Sequence, residues 1–97
     1  MRMIARNVLV VNQLGMHARA AAKFVHLATR YRSNVRVTRD RREMDGKSIM
    51  GILLLAAARG STITISAQGE DEGEAVEALS ALVASGFGEG IDVEDGA

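Results

Sequence analysis

Apolar and polar residues alternate over 3–11, with Val8 and Val10 on one face, and this spacing predicts a first strand. Asn12-Gln13-Leu14-Gly15 follows as a turn signal. From Ala18 to Tyr31 the period lengthens. Ala21, Phe24, Val25 and Ala28 recur at threes and fours, the single apolar stripe of an amphipathic helix. Alternation returns over 34–38, with Val35 and Val37 facing inward, and a charged turn over 39–42 leads into a short return strand ending at Asp45. Ser48 stands where it can cap a short helix from Ile49 to about Leu54. Residues 61–67 alternate again, with Ile63, Ile65 and Ala67 sharing a face. Asp71 and Glu74 have the spacing of a capping box ahead of a last helix, whose stripe is Ala75, Val76, Leu79, Leu82 and Val83. Gly86 falls where a helix stop is expected.

The predicted order is therefore βαββαβα. Strands that are apolar on one side only imply a four-stranded antiparallel sheet with one dry face. Three amphipathic helices would cover that face, giving a two-layer α+β sandwich. Ninety-seven residues suit one domain, and a chain of this size buries roughly two-thirds of its unfolded surface. We read residues 1–88 as that domain and the acidic, glycine-containing stretch 89–97 as a tail that frays.

Composition removes several function classes. The chain has no cysteine, so disulfides and thiolate metal sites are excluded. The start, MRMIARNVLV, is too charged and too short in apolar run for a signal peptide. The longest apolar run, 52–58, falls far below the roughly 18 residues that span a membrane. A cytoplasmic protein is the resulting expectation. Net charge is zero, yet all twelve Lys and Arg lie in residues 1–59 beside three acids, while residues 60–97 hold nine acids and no base. Such segregation suits a surface that attracts a charged partner, and equally a basic face that neutralises the acidic end of the same fold. Nucleic acid is a poor fit: only Phe24, Tyr31 and Phe87 could stack on bases, and these scattered aromatics form no basic-aromatic cluster.

The chemistry concentrates in Gly15-Met16-His17-Ala18-Arg19. His17 falls between a glycine turn and a helix start, where unpaired backbone N–H groups and the positive end of the helix dipole favour an anion. Arg19 adds a permanent guanidinium shaped for phosphate oxygens. Neutral imidazole is a competent nucleophile near pH 7, and a phosphorylated imidazole stays reactive enough to hand its group onward. The plainer alternative is that His17 is a surface or capping residue. His26 lies nine residues away, on the opposite face of the helix, so the two histidines cannot share a metal. No metal and no cofactor are expected. Ser48 reads most simply as a helix N-cap, although a phosphate there would also face a helix N-terminus. Ile49, Met50 and Met16 form either part of the core or an exposed patch that, with Lys47 and Arg19, would dock transient partners.

Two segments carry a resemblance: LGMHARAAAKFVHLA, and GKSIMGILLLAAARGSTITISAQGEDEGEAVEAL. Together they resemble HPr, the phosphocarrier family of the bacterial phosphotransferase system, from about Val8 to Phe87. The resemblance implies an open-faced βαββαβα sandwich. It implies that phosphate passes from phosphoenolpyruvate through enzyme I to the δ nitrogen of His17, then to an enzyme IIA domain. This is covalent carriage rather than turnover of a small substrate. Arg19 would steady the phosphate, Gly15 would allow close approach of the loop, and Ala18 and Ala20 would form the helix start. Ser48 matches the serine modified by HPr kinase/phosphorylase. Ala20 stands where the family usually has proline, and transfer is expected to survive this change with a looser first turn. The run Asn12–His17 resembles the nitrogen-related branch, while the Ser48 region also suits the kinase-regulated branch that serves sugar uptake. A monomer is expected, because a carrier must expose its site to successive partners. An interaction module with His17 idle and a small-molecule regulatory domain are the readings from other classes.

Overall fold

The structure is a computed structural model that describes residues 3–89. Its elements are β1 (Ile4–Leu9), α1 (Ala18–Ala28), β2 (Asn34–Arg39), β3 (Arg42–Asp45), α2 (Ile49–Leu54), β4 (Thr62–Gln68) and α3 (Glu72–Ala84), followed by one 3₁₀ turn, Gly86–Gly88. The strands form one sheet in the order β1-β4-β2-β3, with every pair antiparallel. The central strand β4 sets Ile63 opposite Val8, Ile65 opposite Val37 and Ala67 opposite Val35, so one face carries a continuous apolar ladder. The other face is polar: Thr64 Oγ1 donates to Asn7 Oδ1 across the strands at 2.7 Å.

The helices close over the apolar face, which makes the architecture an α+β open-faced sandwich. Ala20, Ala21, Phe24 and Ala28 of α1, Ile52 of α2, and Ala75, Val76, Leu79 and Val83 of α3 are all buried, and Phe87 seals one end. Burying a side chain of Phe or Leu size contributes about 1.5–3 kcal/mol, so this shared layer dominates the stability.

Three details differ from the sequence reading. Strand β1 ends at Leu9 rather than Val11: beyond it Val10 pairs only with Gly60 and Ser61, in the turn that leads into β4. Helix α1 stops at Ala28 rather than Tyr31. Thr29 Oγ1 donates to the His26 carbonyl, and the amides of Arg30 and Tyr31 reach back only to Leu27 and Ala28. The capping box at Asp71 does not form. The Asp71 carboxylate is engaged across the fold instead, accepting from the backbone of Arg32 and Ser33 and from Ser33 Oγ at 2.6 Å. Glu72 takes up the local task by accepting from Gly69 N.

The short helix α2 is held at its far end by the β2–β3 hairpin. Arg39 Nη1 donates to the Leu55 carbonyl at 3.0 Å and Arg42 Nη1 to that of Leu54 at 2.8 Å. These contacts satisfy carbonyls that a helix C-terminus leaves unpaired.

Candidate functional site

Between β1 and α1 the chain must turn and lie flat against another backbone segment. Gly15 N donates to Asn12 O at 3.1 Å and Met16 N to Ala57 O at 2.9 Å. Gly15 adopts φ +66°, and a Cβ there would lie 2.6 Å from Ala57 O and 2.9 Å from Ala58 Cα. Glycine is required on both counts. Met16 then anchors the loop in the core and is only 4% exposed. It is therefore not part of an exposed docking patch, because its neighbour Gly15 presses this stretch onto Ala57.

The next residue, His17, is the N-cap of α1. Its carbonyl accepts from Ala21 N at 2.8 Å, and its ring Nδ1 accepts from Arg19 N at 3.2 Å. The side chain keeps 26% of its surface open. Nδ1 is thus aimed at the first turn, where helical N–H groups have no carbonyl partner within the helix and the dipole is positive. Ala18 and Arg19 are exposed there, while Ala20 is buried against the core.

The opposite ring nitrogen, Nε2, faces the Glu89 carboxylate in a direct hydrogen bond. Asn12, fully buried, donates from Nδ2 both to Gly15 O at 2.7 Å and to Glu89 Oε1 at 3.0 Å. Lys23, one turn beyond Arg19, donates to the Phe87 carbonyl at 2.8 Å and so holds the 3₁₀ turn against α1. These groups surround an open depression of about 590 Å³ lined by Leu14, His17, Arg19, Lys23, Gly88 and Glu89. Burial pushes the Glu89 carboxyl up, but hydrogen bonds from His17 and Asn12, with the charges of His17 and Lys23, outweigh it and hold the group below the usual carboxylate range.

Asn12, Lys23 and Glu89 are the site residues that sequence reasoning missed. Lys23 had a detectable signal, since it stands four residues beyond Arg19 on the same helical face. Glu89 had none: it lies 72 residues from His17 and was read as the start of the tail, whereas it folds back onto the site. The rest of that tail, 90–97, lies outside the described residues. His26 is exposed, and no group of side chains among the described residues could hold a metal ion.

The second segment sits on α2. Ser48 is its N-cap, and Oγ accepts from Gly51 N at 3.0 Å. Ile49, Met50 and Leu54 are exposed, at 44%, 67% and 53%. Lys47, expected beside them as a docking charge, is half-buried instead, with Nζ donating to the Tyr31 carbonyl at 2.7 Å. That carbonyl follows the end of α1, so Lys47 stitches α1 to the start of α2.

Fold and site together define a class: small α+β domains with a partly open histidine capping the first helix. The description "PTS HPr component phosphorylation site" matches residues 4–85. The chain is 50% identical to the phosphocarrier protein HPr of Cupriavidus necator over 88 residues, covering 91% of this chain and 99% of that protein. It superposes on the crystal structure of HPr from Bacillus anthracis with a TM-score of 0.83 at 42% identity, covering 86% and 99% of the two chains. It also matches Crh of Bacillus subtilis, a catabolite-repression protein seen as a dimer with a swapping domain, with a TM-score of 0.71 at 44% identity and coverage of 81% and 91%. The chain belongs to the HPr family of phosphocarrier proteins.

Proposed function

We propose that this chain carries a phosphoryl group on Nδ1 of His17, accepting it from phospho-enzyme I and passing it to an enzyme IIA domain in the cytoplasm, as a monomer. One observation carries the reading: an open imidazole caps α1 with Nδ1 aimed at the Arg19 amide. A phosphoryl group on that nitrogen meets the free amides of the first turn, and the Arg19 guanidinium is exposed close by. Carriage needs an intermediate that is stable between partners yet reactive toward them, and phosphoimidazole answers that need. Incubation of the full chain with phosphoenolpyruvate and a general enzyme I, followed by intact mass, tests it. One acid-labile phosphate is expected in the wild type and none in His17→Ala. A folded wild type that gains no mass would refute the reading.

Regulation at Ser48 is the finer part of the proposal. The hydroxyl already occupies an N-cap, where added negative charge is well placed and the fold need not melt. HPr kinase/phosphorylase is the partner this implies. A phosphate there would stand beside exposed Ile49 and Met50 and repel an acidic partner surface. Ser48→Asp is expected to slow phosphorylation of His17 by enzyme I, and equal initial rates for the two proteins would count against that mechanism.

The exposed apolar residues Ile49, Met50 and Leu54 also favour a second reading, in which the chain acts on regulators by binding alone. Under that reading His17→Ala keeps every biological output.

A further inference from the structure

Away from His17, positive charge gathers at the β2–β3 hairpin. The antiparallel register sets Arg39 directly opposite Arg42, and Arg41 stands in the turn between them beside Asp40. Like charges directly opposite each other destabilise a strand pair, so the turn carries a cost that the sheet itself does not require. Among the described residues no carboxylate forms an ion pair with any of the three arginines. Part of the arrangement has a structural reason. Arg39 Nη1 donates to the Leu55 carbonyl and Arg42 Nη1 to that of Leu54, where a helix C-terminus favours positive charge. Each of these guanidinium groups spends a single N–H on α2, and the tether fixes where its other donors point. Capping gives no reason for Arg41, which is exposed. Arg39, Asp40, Arg41, Arg42 and Ala56 together line a depression of about 480 Å³, a volume typical of small-molecule sites. It shares no lining residue with the depression at His17.

We infer that this hairpin is a binding site for a small anion built on linked phosphates, either inorganic or carried by a nucleotide. The inference stands apart from phosphoryl carriage by His17. Guanidinium forks match phosphate oxygens in shape and charge. Three of them around one hollow suit a linked diphosphate better than a single phosphate, which one fork already satisfies. The lining holds no aromatic side chain, so a nucleobase has nothing to stack on and the phosphates must supply the affinity. A hollow of this size also favours a compact ligand over the flat face of a protein partner. Binding is ionic and reversible, with no bond made or broken. Its effect extends into α2, because the Arg42 tether ends on Leu54, which shares an exposed apolar surface with Ile49 and Met50.

The test titrates the full-length, nitrogen-15-labelled chain with sodium pyrophosphate, ADP and inorganic phosphate at constant ionic strength, following the backbone amides. Pyrophosphate and ADP are expected to shift residues 39–42 and 54–56, and phosphate to require a roughly tenfold higher concentration. Whichever of pyrophosphate and ADP binds more tightly identifies the source, inorganic or nucleotide. Arg41→Ala is expected to weaken pyrophosphate binding about tenfold by removing a charged hydrogen-bonding group, and Arg41→Lys to recover part of the loss. The Arg41 side chain is exposed in the turn, so both variants are expected to fold, and their amide spectra verify it. His17→Ala is expected to bind pyrophosphate at the hairpin as wild type does. An absence of shifts at 39–42 up to millimolar pyrophosphate overturns the inference, as do shifts confined to 17–19. A folded Arg41→Ala that binds like wild type overturns it too. A polyglutamate peptide or an RNA oligonucleotide that shifts the hairpin where pyrophosphate does not would replace the small anion with a macromolecular partner.

Discussion

At the scale of single residues, the site depends on one place where a side chain cannot be tolerated. Gly15 combines a left-handed backbone with contact against Ala57 and Ala58. The contacting atoms are backbone, so they cannot swing aside as a flexible side chain would. Gly15→Ala is therefore expected to lower stability by about 1–3 kcal/mol, through positive-φ strain and the clash together. Urea unfolding measures the loss. The same change pushes Met16 and His17 away from their seats, so phosphoryl acceptance should drop with it. Gly15 and His17 were both legible in the sequence, because a glycine followed two residues later by a helix-capping histidine is a local pattern. Glu89 was not legible. Its role arises from a turn that only the closed fold brings to α1, and no periodicity marks such a meeting.

At the scale of elements, capping is the recurring device, and the structure distributes it differently from the local rules. Asp71 has the sequence of a cap but serves as a clasp between the starts of α3 and β2. Hydrogen bonds from the Ser33 side chain and the Arg32 backbone bring its carboxyl from 3.8 to about 2. A carboxyl depressed on folding stabilises the native state above its unfolded value and loses that contribution as pH falls through the folded one. The clasp should therefore weaken between about pH 4 and pH 2. Asp71→Asn is expected to be less stable than wild type at neutral pH and to show a flatter acid dependence in that window, as thermal unfolding at a series of pH values will show. In α1 the third helical residue is Ala20. That position lies in the first turn, so proline would remove no intrahelical hydrogen bond. Ala20→Pro is expected to fold and to accept phosphate at a rate close to wild type. An inactive wild type beside an active Ala20→Pro would show that alanine disables the helix start.

Across the whole molecule, the order and type of the four strands and three α-helices could be read from the sequence, because strands wetted on one side and helices with one apolar stripe leave few ways to close a sheet; the 3₁₀ turn at Gly86–Gly88 could not. The order β1-β4-β2-β3 could not, since alternation shows which residues face inward but not which strands are neighbours. The exposed or buried state of Met16 and Lys47 was equally out of reach, being decided by contacts with Ala57 and Tyr31 far along the chain. The fold brings parts of the basic and acidic halves of the sequence together at His17–Glu89 and Arg32–Glu70. Among the described residues the ion pairs are His17–Glu89, Arg32–Glu70 and Arg36–Glu43, and the last two are exposed, where such pairs contribute little. Lys23, Arg39, Arg42 and Lys47 are instead engaged with backbone carbonyls.

Phosphoryl carriage by this chain comes down to a single bond, that between phosphorus and Nδ1 of His17. Phosphorus–nitrogen correlation in a nitrogen-15-labelled chain, charged enzymatically and kept at alkaline pH, observes that bond directly. One phosphorus signal coupled to Nδ1 of His17 is expected. A phosphorus coupled to Nε2, or bound to any other residue, would contradict it.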